Sequence, residues 1–371
     1  MIDVLPEVLR TVLAFLVVLG VLVFVHELGH YLAARWRGVH VDAFSIGFGR
    51  PIARWTDRRG TEWRLSWIPL GGYVKLHGWA DIASIPPEEA ARLREGQTFH
   101  DKPVRDRAIV VAAGPIANFL LAALLFAALY ATQGRPVATT AIAAVSPGSV
   151  AEAAGIRPGD EVVALDGRRV TRFEEVQRHI QPRAGVPVAI TLRREGAEFT
   201  ITVVPAIRPG SEAAPVGILG VQAGGARFER LDPLSALWAG SLRMLAVSGQ
   251  TLAAVGEMIL GQRSAQDLGG PLRIAEISGQ AAGLGLVALV NLMALLSVSL
   301  ALINLFPIPL LDGGHLVFYA IEALRGRPLP PRAMEIGFRL GFALLIALFL
   351  FATWNDLSHG GVGRWLAGLL G

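Results

Sequence analysis

An apolar run that ends in ionisable residues constrains the fold of this chain more than any other feature of its sequence. Residues 11–25 (TVLAFLVVLGVLVFV) contain neither a charge nor a proline, and His26, Glu27 and His30 follow directly. Three further apolar segments, at 109–130, 284–305 and 336–354, have the length of about 20 residues that a helix needs to cross a bilayer. Only 17% of the residues are charged, against about 25% in a typical soluble domain. The sequence therefore predicts an α-helical membrane protein with about four transmembrane helices.

Basic residues indicate which side of the membrane each loop faces. Thirteen of the chain's 34 arginines and lysines lie between Arg35 and Arg107. Because short cytoplasmic loops are enriched in basic residues, this loop is predicted to be cytoplasmic and the N-terminus external. The basic residues flank apolar segments instead of forming a dense run, so no nucleic-acid partner is expected. The chain has no cysteine, which excludes disulfides and thiolate metal sites.

The segment HELGH, residues 26–30, has the spacing of a metal-binding helix. Four residues separate His26 from His30, so in an α-helix both imidazoles lie on one face and can reach one ion. Glu27 points about 100° away, where it can contact a metal-bound water without being a ligand. Ionisable groups at the end of a membrane helix are costly unless they are paired or bound. We therefore predict two zinc ligands and a general base.

A catalytic zinc needs a third protein ligand, and NLFPIPLLDGGH, residues 304–315, contains a candidate. Two prolines and two glycines predict that the third span breaks here, which a membrane tolerates only where the backbone lines a cavity. Asp312 is the expected carboxylate ligand, with His315 as the alternative, although packing or a supporting role suits His315 better. Asn304 is expected either to donate a hydrogen bond to a developing oxyanion or to cap the broken helix. Asn118 is expected to face the metal helix as a packing residue.

A separate domain is predicted between the second and third spans. Short strands are expected at 161–165, 188–193 and 198–204, and short helices at 149–154 and 173–180. The stretch SPGSVAEAAGIRPGDEVVALDG resembles PDZ domains of the bacterial kind. By the topology above, this inserted α+β domain lies outside the cytoplasm. The alternative is an unrelated small β domain.

Six features together resemble the site-2 protease family of intramembrane zinc metalloproteases. They are HELGH, SIGFG (45–49), IPLGGYVKL (68–76), GPIANF (114–119), the PDZ-like stretch and NLFPIPLLDGGH. The resemblance implies Zn²⁺ as cofactor, with His26, His30 and Asp312 as ligands, Glu27 as base and Asn304 as an aid to substrate or oxyanion binding. Ser299 stands where some relatives carry a second asparagine, and the chain has room for one PDZ domain where some carry two.

The same resemblance implies a biological setting. It is regulated intramembrane proteolysis in the bacterial cytoplasmic (inner) membrane, by a multi-pass protein embedded in the lipid bilayer. Its substrates would be single-span membrane protein stubs, such as anti-sigma factors or signal-peptide remnants, that a site-1 protease has already cut. A non-catalytic PDZ membrane scaffold is the main alternative and a transporter the next. Neither gives a reason for an intact HExxH together with Asp312.

Two segments are predicted to bind substrate. Residues 62–78 are expected to form two short strands as a cytoplasmic β-hairpin, whose exposed edge could hold substrate as an added strand. In the external domain, residues 216–221 resemble the carboxylate-binding strand and loop of a circularly permuted PDZ domain. A size filter is nevertheless the favoured role of this domain. The binding residues expected in the two segments are Leu70, Gly71, Gly72 and Tyr73, and Ile218, Leu219, Gly220 and Val221.

These interpretations divide the chain into seven parts. Residues 1–36 are the first transmembrane helix with HExxH, 37–108 the cytoplasmic loop with its membrane-associated hairpin, and 109–131 the second transmembrane helix. Residues 137–224 are the PDZ domain, and 231–283 an extracytoplasmic amphipathic helix region. Residues 284–315 are the third transmembrane helix and its break, and 316–371 an inner loop, the fourth transmembrane helix and the C-terminus. Only about thirteen uninterrupted apolar residues lie between Arg243 and Glu257, which favours an interfacial helix there over a fifth span.

Overall fold

The computed structural model describes residues 6–79, 96–208, 215–264 and 269–359. Its α-helices are α1 (Glu7–Trp36), α2 (Val104–Thr132), α3 (Val150–Ala153), α4 (Phe173–Ile180), α5 (Pro233–Ile259), α6 (Pro271–Leu284), α7 (Leu286–Leu305), α8 (Asp312–Arg325) and α9 (Pro331–His359). Its strands are β1 (Val41–Thr56), β2 (Glu62–Leu76), β3 (Arg135–Ala138), β4 (Ile142–Val145), β5 (Glu161–Leu165), β6 (Arg168–Arg169), β7 (Val188–Arg194), β8 (Ala197–Val203), β9 (Ala206–Ile207), β10 (Gly217–Ile218), β11 (Val221–Ala223) and β12 (Ala226–Glu229).

Four of the described helices, α1, α2, α7 and α9, are long and apolar enough to cross a membrane. They correspond to the four predicted spans, which are thus confirmed as long apolar helices. α2 begins at Val104, earlier than the predicted residue 109, so Arg105 and Arg107 belong to its first turns instead of to the preceding loop. α5 and α6 occupy the predicted amphipathic region and are not among the candidate spans of the described chain.

The chain divides into two structural units. The first combines Met1–Leu129 with Pro233–Gly371 and contains the metal-binding motif; the second is Tyr130–Asp232, the segment predicted as a separate domain.

In the first unit, small and branched apolar side chains pack the long helices together. Val18 and Leu22 of α1 are buried against Ala281 of α6 and Met293 of α7. α5 packs along α2 and α7 through Val247 and neighbouring residues. Gly29 of α1 lies against Ala113 of α2, and Gly240 of α5 lies against Ala123 and Ala127 of α2, so the helix backbones approach closely there.

The buried carboxylate of Asp356, near the end of α9, binds the backbone at the start of α6. Asp356 is 7% exposed and accepts backbone N–H groups of Gly270, Leu272 and Arg273 at 2.9, 3.1 and 3.1 Å. The first N–H groups of a helix have no partner within it, so Asp356 satisfies donors that would otherwise be unpaired.

β1 and β2 form a bent antiparallel sheet in which β1 is flanked on both sides by halves of β2. Phe44 lies opposite Trp63 on one side and Val74 on the other. Residues 62–66 also pair with 51–56, so 72–76 form an edge of the sheet. The predicted hairpin within 62–78 is therefore wrong: its two strands exist, but they flank residues 41–46 instead of pairing with each other. Pro69, which lacks an N–H donor, and Gly71, at φ +126°, lie where the strand changes sides.

The second unit is built from short strands around one core. β6, β5, β7 and β8 form a four-stranded sheet in that order, and β3–β12, β4–β11 and β9–β10 form separate two-stranded ladders. Leu165, Ile190 and Leu192 are fully buried in the core, and α4 covers it with Phe173, Val176 and Ile180. The predicted strands at 161–165, 188–193 and 198–204 and both predicted short helices are confirmed to within about one residue.

Candidate metal centre

α1 presents both histidines of HELGH on one face. His26 is 8% exposed, and its ring centroid lies 4.8 Å from that of His30. The two Nε2 atoms are 3.2 Å apart. The apolar α1 forms an unbroken helix through this motif, so the i, i+4 spacing delivers both imidazoles to one point as predicted.

The carboxylate of Asp312 joins this pair. Its Oδ2 atom lies 3.2 Å from His26 Nε2 and 3.4 Å from His30 Nε2. The backbone break covers 306–311, where Leu310 has a φ of +86°, and Asp312 is the first residue of α8 instead of part of the break. The turn of chain that follows α7 thus brings the predicted third ligand back to α1.

The three ligand atoms have the spacing of a tetrahedral zinc site. Zinc bonds of about 2.0–2.1 Å at tetrahedral angles place two ligand atoms about 3.3 Å apart, and the three separations here are 3.2, 3.2 and 3.4 Å. Asp312 Oδ2 is buried and accepts no well-oriented hydrogen bond. Charge-assisted hydrogen bonds would be shorter, about 2.7–2.9 Å. The geometry therefore suits two imidazoles and one carboxylate sharing an ion, and these residues are the only such group among those described.

α2 supports the two imidazoles from behind. His30 Nδ1 donates to the backbone carbonyl of Val110 at 2.9 Å, and the amide of Asn118 lies 3.3 Å from His26 Nδ1. Between them, a Cβ placed at Gly114 would lie 2.3 Å from His30 Nε2 and 2.9 Å from His26 Cε1. Glycine is therefore required at 114 to make room for the ligands. The sequence predicted that Asn118 of GPIANF faces the metal helix, as it does, but gave no sign of the steric role of Gly114. A backbone carbonyl such as that of Val110 gives no sequence signal.

The edge strand of the β1–β2 sheet lies beside Glu27. The backbone N–H of Val74 faces the Glu27 carboxylate. A Cβ placed at Gly72 would lie 3.1 Å from Glu27 Cγ and 2.8 Å from Val23 Cγ1. N–H groups of a strand alternate in direction, so the N–H of Gly72 points to the same side as that of Val74, away from β1. The structure thus brings the predicted base together with part of the predicted substrate-binding segment.

The other predicted residues of this segment face elsewhere. The Tyr73 hydroxyl accepts a hydrogen bond from Arg64 Nη1 at 3.1 Å, and its ring stacks on Phe48. Gly71 also lies against the Phe48 ring. Leu70 belongs to β2, and its side chain lies outside the described part of the structure.

Asn304 and His315 do not share the ligand triangle. Asn304 Nδ2 donates to Leu300 O, 2.9 Å away in its own helix, and its role towards an oxyanion stays a prediction. The His315 ring packs among aromatic rings, with its centroid 5.2 Å from that of Trp79 and 5.5 Å from that of Phe338. His315 is thus a packing residue, as the sequence favoured.

In the second unit, the predicted peptide-binding residues line a groove of about 230 Å³. Ile218, Leu219, Gly220 and Val221 form one side, and α4 with Phe173 and Gln177 forms another. The Leu219 side chain is 6% exposed and belongs to the core, so it supports the groove more than it reaches into it.

Two imidazoles and a carboxylate around one point, with a glutamate one residue after the first histidine, define a zinc-dependent hydrolase site. The sequence matches peptidase family M50 over residues 14–348. The chain therefore belongs to this family of metallopeptidases, which confirms the site-2 protease resemblance.

Several relatives agree with this assignment. A protein of Rhizobium meliloti (strain 1021), named as a candidate zinc metalloprotease, is 45% identical over 360 residues, which cover 94% of this chain and 96% of that one. A protein of Agrobacterium fabrum (strain C58) with the same description is 45% identical over 359 residues, covering 94% and 95%. Metalloprotease MmpA of Caulobacter vibrioides is 39% identical over 387 residues, covering 96% and 97%. The protein is thus a membrane zinc metalloprotease, with zinc as its cofactor.

Proposed function

We propose that this metalloprotease cuts single-span membrane proteins inside the bilayer, as an endopeptidase. The observation that carries the proposal is the origin of the ligands. His26 and His30 lie on α1, and Asp312 follows α7 after one short break; both helices are long and apolar enough to span a membrane. A metal site formed by such helices can lie at membrane depth, where it can contact a substrate peptide bond that is itself in the membrane.

The residues of the site have separate roles in the proposed reaction. His26, His30 and Asp312 would hold zinc, which when bound acts as a Lewis acid and lowers the pKa of a bound water towards about 7. Glu27 takes a proton from the attacking water and passes it to the amide nitrogen that leaves. The N–H of Val74 faces the Glu27 carboxylate from the edge of the β1–β2 sheet. Asn304, released from Leu300 O, would donate to the developing oxyanion.

The β2 edge is the proposed substrate-binding strand. A helical substrate buries its amides in its own hydrogen bonds, so it must unwind before hydrolysis. An extended segment can replace those bonds by pairing with the outward backbone groups of residues 72–76, apart from the N–H of Val74, which faces Glu27. Because Val74 also contacts Glu27, a strand added there places its backbone next to the base.

A synthetic single-span substrate in liposomes tests both parts. We expect mass spectrometry to place the cut inside the apolar segment for the wild type, with no cut by Glu27→Gln. N-methylation of successive substrate amides tests strand addition. Loss of cleavage should alternate with a period of two, because every second amide of a strand faces its partner. Equal tolerance of N-methylation at every position away from the scissile bond would contradict strand addition.

We also propose that the inserted unit is an external PDZ domain that filters substrates by size. Two observations support this proposal: the order of strands and helices in the second unit, and the groove that residues 217–221 form with α4. Ala138 of β3 lies opposite Ala226 of β12, so a two-residue turn can replace 139–225 without disturbing that ladder. Under the filter hypothesis this variant cuts substrates with and without a folded outer domain. Slower cleavage of short stubs would favour peptide capture instead, and unchanged selectivity would refute both roles.

The proposed orientation places the β1–β2 turn in the cytoplasm of a bacterium and the inserted unit outside its inner membrane. A reporter inserted at Asp57 should read cytoplasmic, and one at Asp166 external. These positions suit the test because each lies in a turn between two strands. The same side for both reporters would contradict the orientation.

A further inference from the structure

Asn118 is a polar side chain next to one of the proposed metal ligands, and it is completely buried. It lies on α2 with 0% exposure, and its amide is 3.3 Å from His26 Nδ1. Its backbone carbonyl accepts the Ser297 hydroxyl at 2.7 Å, which anchors this turn of α2 to α7. This turn of α2, which carries the Asn118 side chain, is thus anchored behind the ligand triangle.

The amide of Asn118 is only half satisfied. As placed, Nδ2 faces His26 and the buried Oδ1 has no hydrogen-bond partner. An unpaired buried polar group costs about 1–3 kcal/mol. Rotating the amide by 180° leaves Nδ2 in the unpaired position, so the number of hydrogen bonds does not choose between the two orientations. Packing alone would be served better by an apolar side chain, and the buried amide therefore indicates a functional requirement.

His30 shows what that requirement is. Its Nδ1 faces the carbonyl of Val110, which can only accept, so Nδ1 carries the proton and Nε2 keeps its lone pair towards Asp312. His26 Nε2 faces the same oxygen at 3.2 Å. To bind the metal through Nε2, His26 must also carry its proton on Nδ1. Its partner must then be an acceptor, which the amide oxygen is and the amide nitrogen is not.

We propose that Asn118 is a positioning residue for zinc, whose Oδ1 accepts the Nδ1–H of His26 and fixes the metal-binding tautomer. The nitrogen and oxygen of an asparagine amide are distinguished by their partners, and the ligand role of His26 requires the rotated orientation. The inference rests on the proposed use of His26 as a zinc ligand. It gives both histidines the same arrangement: Nε2 towards the metal and Nδ1–H towards an acceptor on α2.

Two variants of nearly equal volume separate this role from packing. Asn118→Asp keeps only acceptor atoms and forms the carboxylate–histidine arrangement common at zinc sites. Asn118→Leu fills the space without an acceptor. We expect zinc dissociation constants of purified full-length protein, from competition with a chelator, to stay within about tenfold of wild type for Asp and to rise about 10–100-fold for Leu. Ser297→Ala, which removes the helix anchor but not the His26 partner, is the matched control and should leave zinc affinity near wild type.

The visible spectrum of the Co²⁺-substituted protein gives a second readout. Asn118→Asp should retain the four-coordinate wild-type spectrum, and Asn118→Leu should shift or lose it. Equal weakening by Asp and Leu would mean that the amide donates to His26, and would overturn the proposal. Wild-type affinity and spectrum in Asn118→Leu would do so as well. Failure of the proposed function is distinguishable, because it is measured as loss of wild-type cleavage in liposomes, whereas these tests compare zinc binding of the variants with that of the wild type.

Discussion

Adding a single methyl group at Gly114 should displace the metal without unfolding the protein. In Gly114→Ala the new Cβ would lie 2.3 Å from His30 Nε2 and 2.9 Å from His26 Cε1. Both contacts are to the outer ends of side chains, which can rotate away, so the helices can keep their packing. The imidazoles, however, then leave the positions that the metal requires.

The size of the displacement follows from the geometry. Carbon and nitrogen atoms in contact lie about 3.5 Å apart, so His30 Nε2 must move by about 1.2 Å. Zinc–ligand distances tolerate about 0.2 Å. A movement several times larger removes His30 as a ligand. Loss of a supporting group alone costs about 10–100-fold in metal affinity, so loss of a ligand should cost more than about 100-fold.

Zinc content by mass spectrometry and affinity by chelator competition measure this effect. Gly20→Ala is the matched control, because Gly20 lies on α1 with His26 and His30 and a Cβ there meets no atom within 4 Å. The control should bind zinc like the wild type, and both variants should elute as folded protein. A Gly114→Ala protein with wild-type zinc affinity would refute the placement of Gly114 against the ligands.

Three further substitutions probe separate parts of the structure. Asp312→Ala should lose most bound zinc, measured by mass spectrometry, and full retention would place the third ligand elsewhere. Asp356→Ala should lower stability by about 1–3 kcal/mol in a denaturant titration, because three backbone donors of α6 lose their acceptor; Ser358→Ala is the exposed control. Hydrogen bonds from Arg194 lower the pKa of buried Asp160. The pair therefore stabilises the second unit at pH values above about 3.9, the pKa of an aspartate in the unfolded chain. Arg194→Met should therefore speed the hydrogen exchange of backbone amides in β5 and β7 at pH 7. The difference in amide protection between the variant and the wild type should shrink as the pH falls below about 4. A difference in protection that does not depend on pH would contradict this.

Local patterns in the sequence were sufficient to predict the long apolar helices and the residues that come together at the candidate metal centre. His26 and His30 are four residues apart on an uninterrupted apolar helix, so helix geometry alone places them together. Asp312 could be inferred because a carboxylate after a proline-rich break in a membrane span is costly without a partner. The strands of the second unit followed from alternating side chains between glycine turns.

Features that depend on packing between distant segments could not be inferred. The two halves of β2 flank β1 because the strand changes sides near Gly71, and strand order has no local signal there. Gly114 and Asn118 acquire their roles only when α2 is placed behind α1. In the sequence, Asp356 is only a polar residue near the end of an apolar helix. Its partners at the start of α6 lie more than eighty residues earlier in the chain, so no local pattern indicates the contact.

Zinc content and cleavage measured together on wild type and Glu27→Gln test the central claim most directly. Both proteins would be purified, and each would be supplied with the same single-span substrate in liposomes. A zinc site with Glu27 as its base predicts about one zinc per chain in both proteins, and cleavage by the wild type only. Cleavage by Glu27→Gln at the wild-type rate, or a wild type that cleaves after its zinc has been removed, would contradict the account.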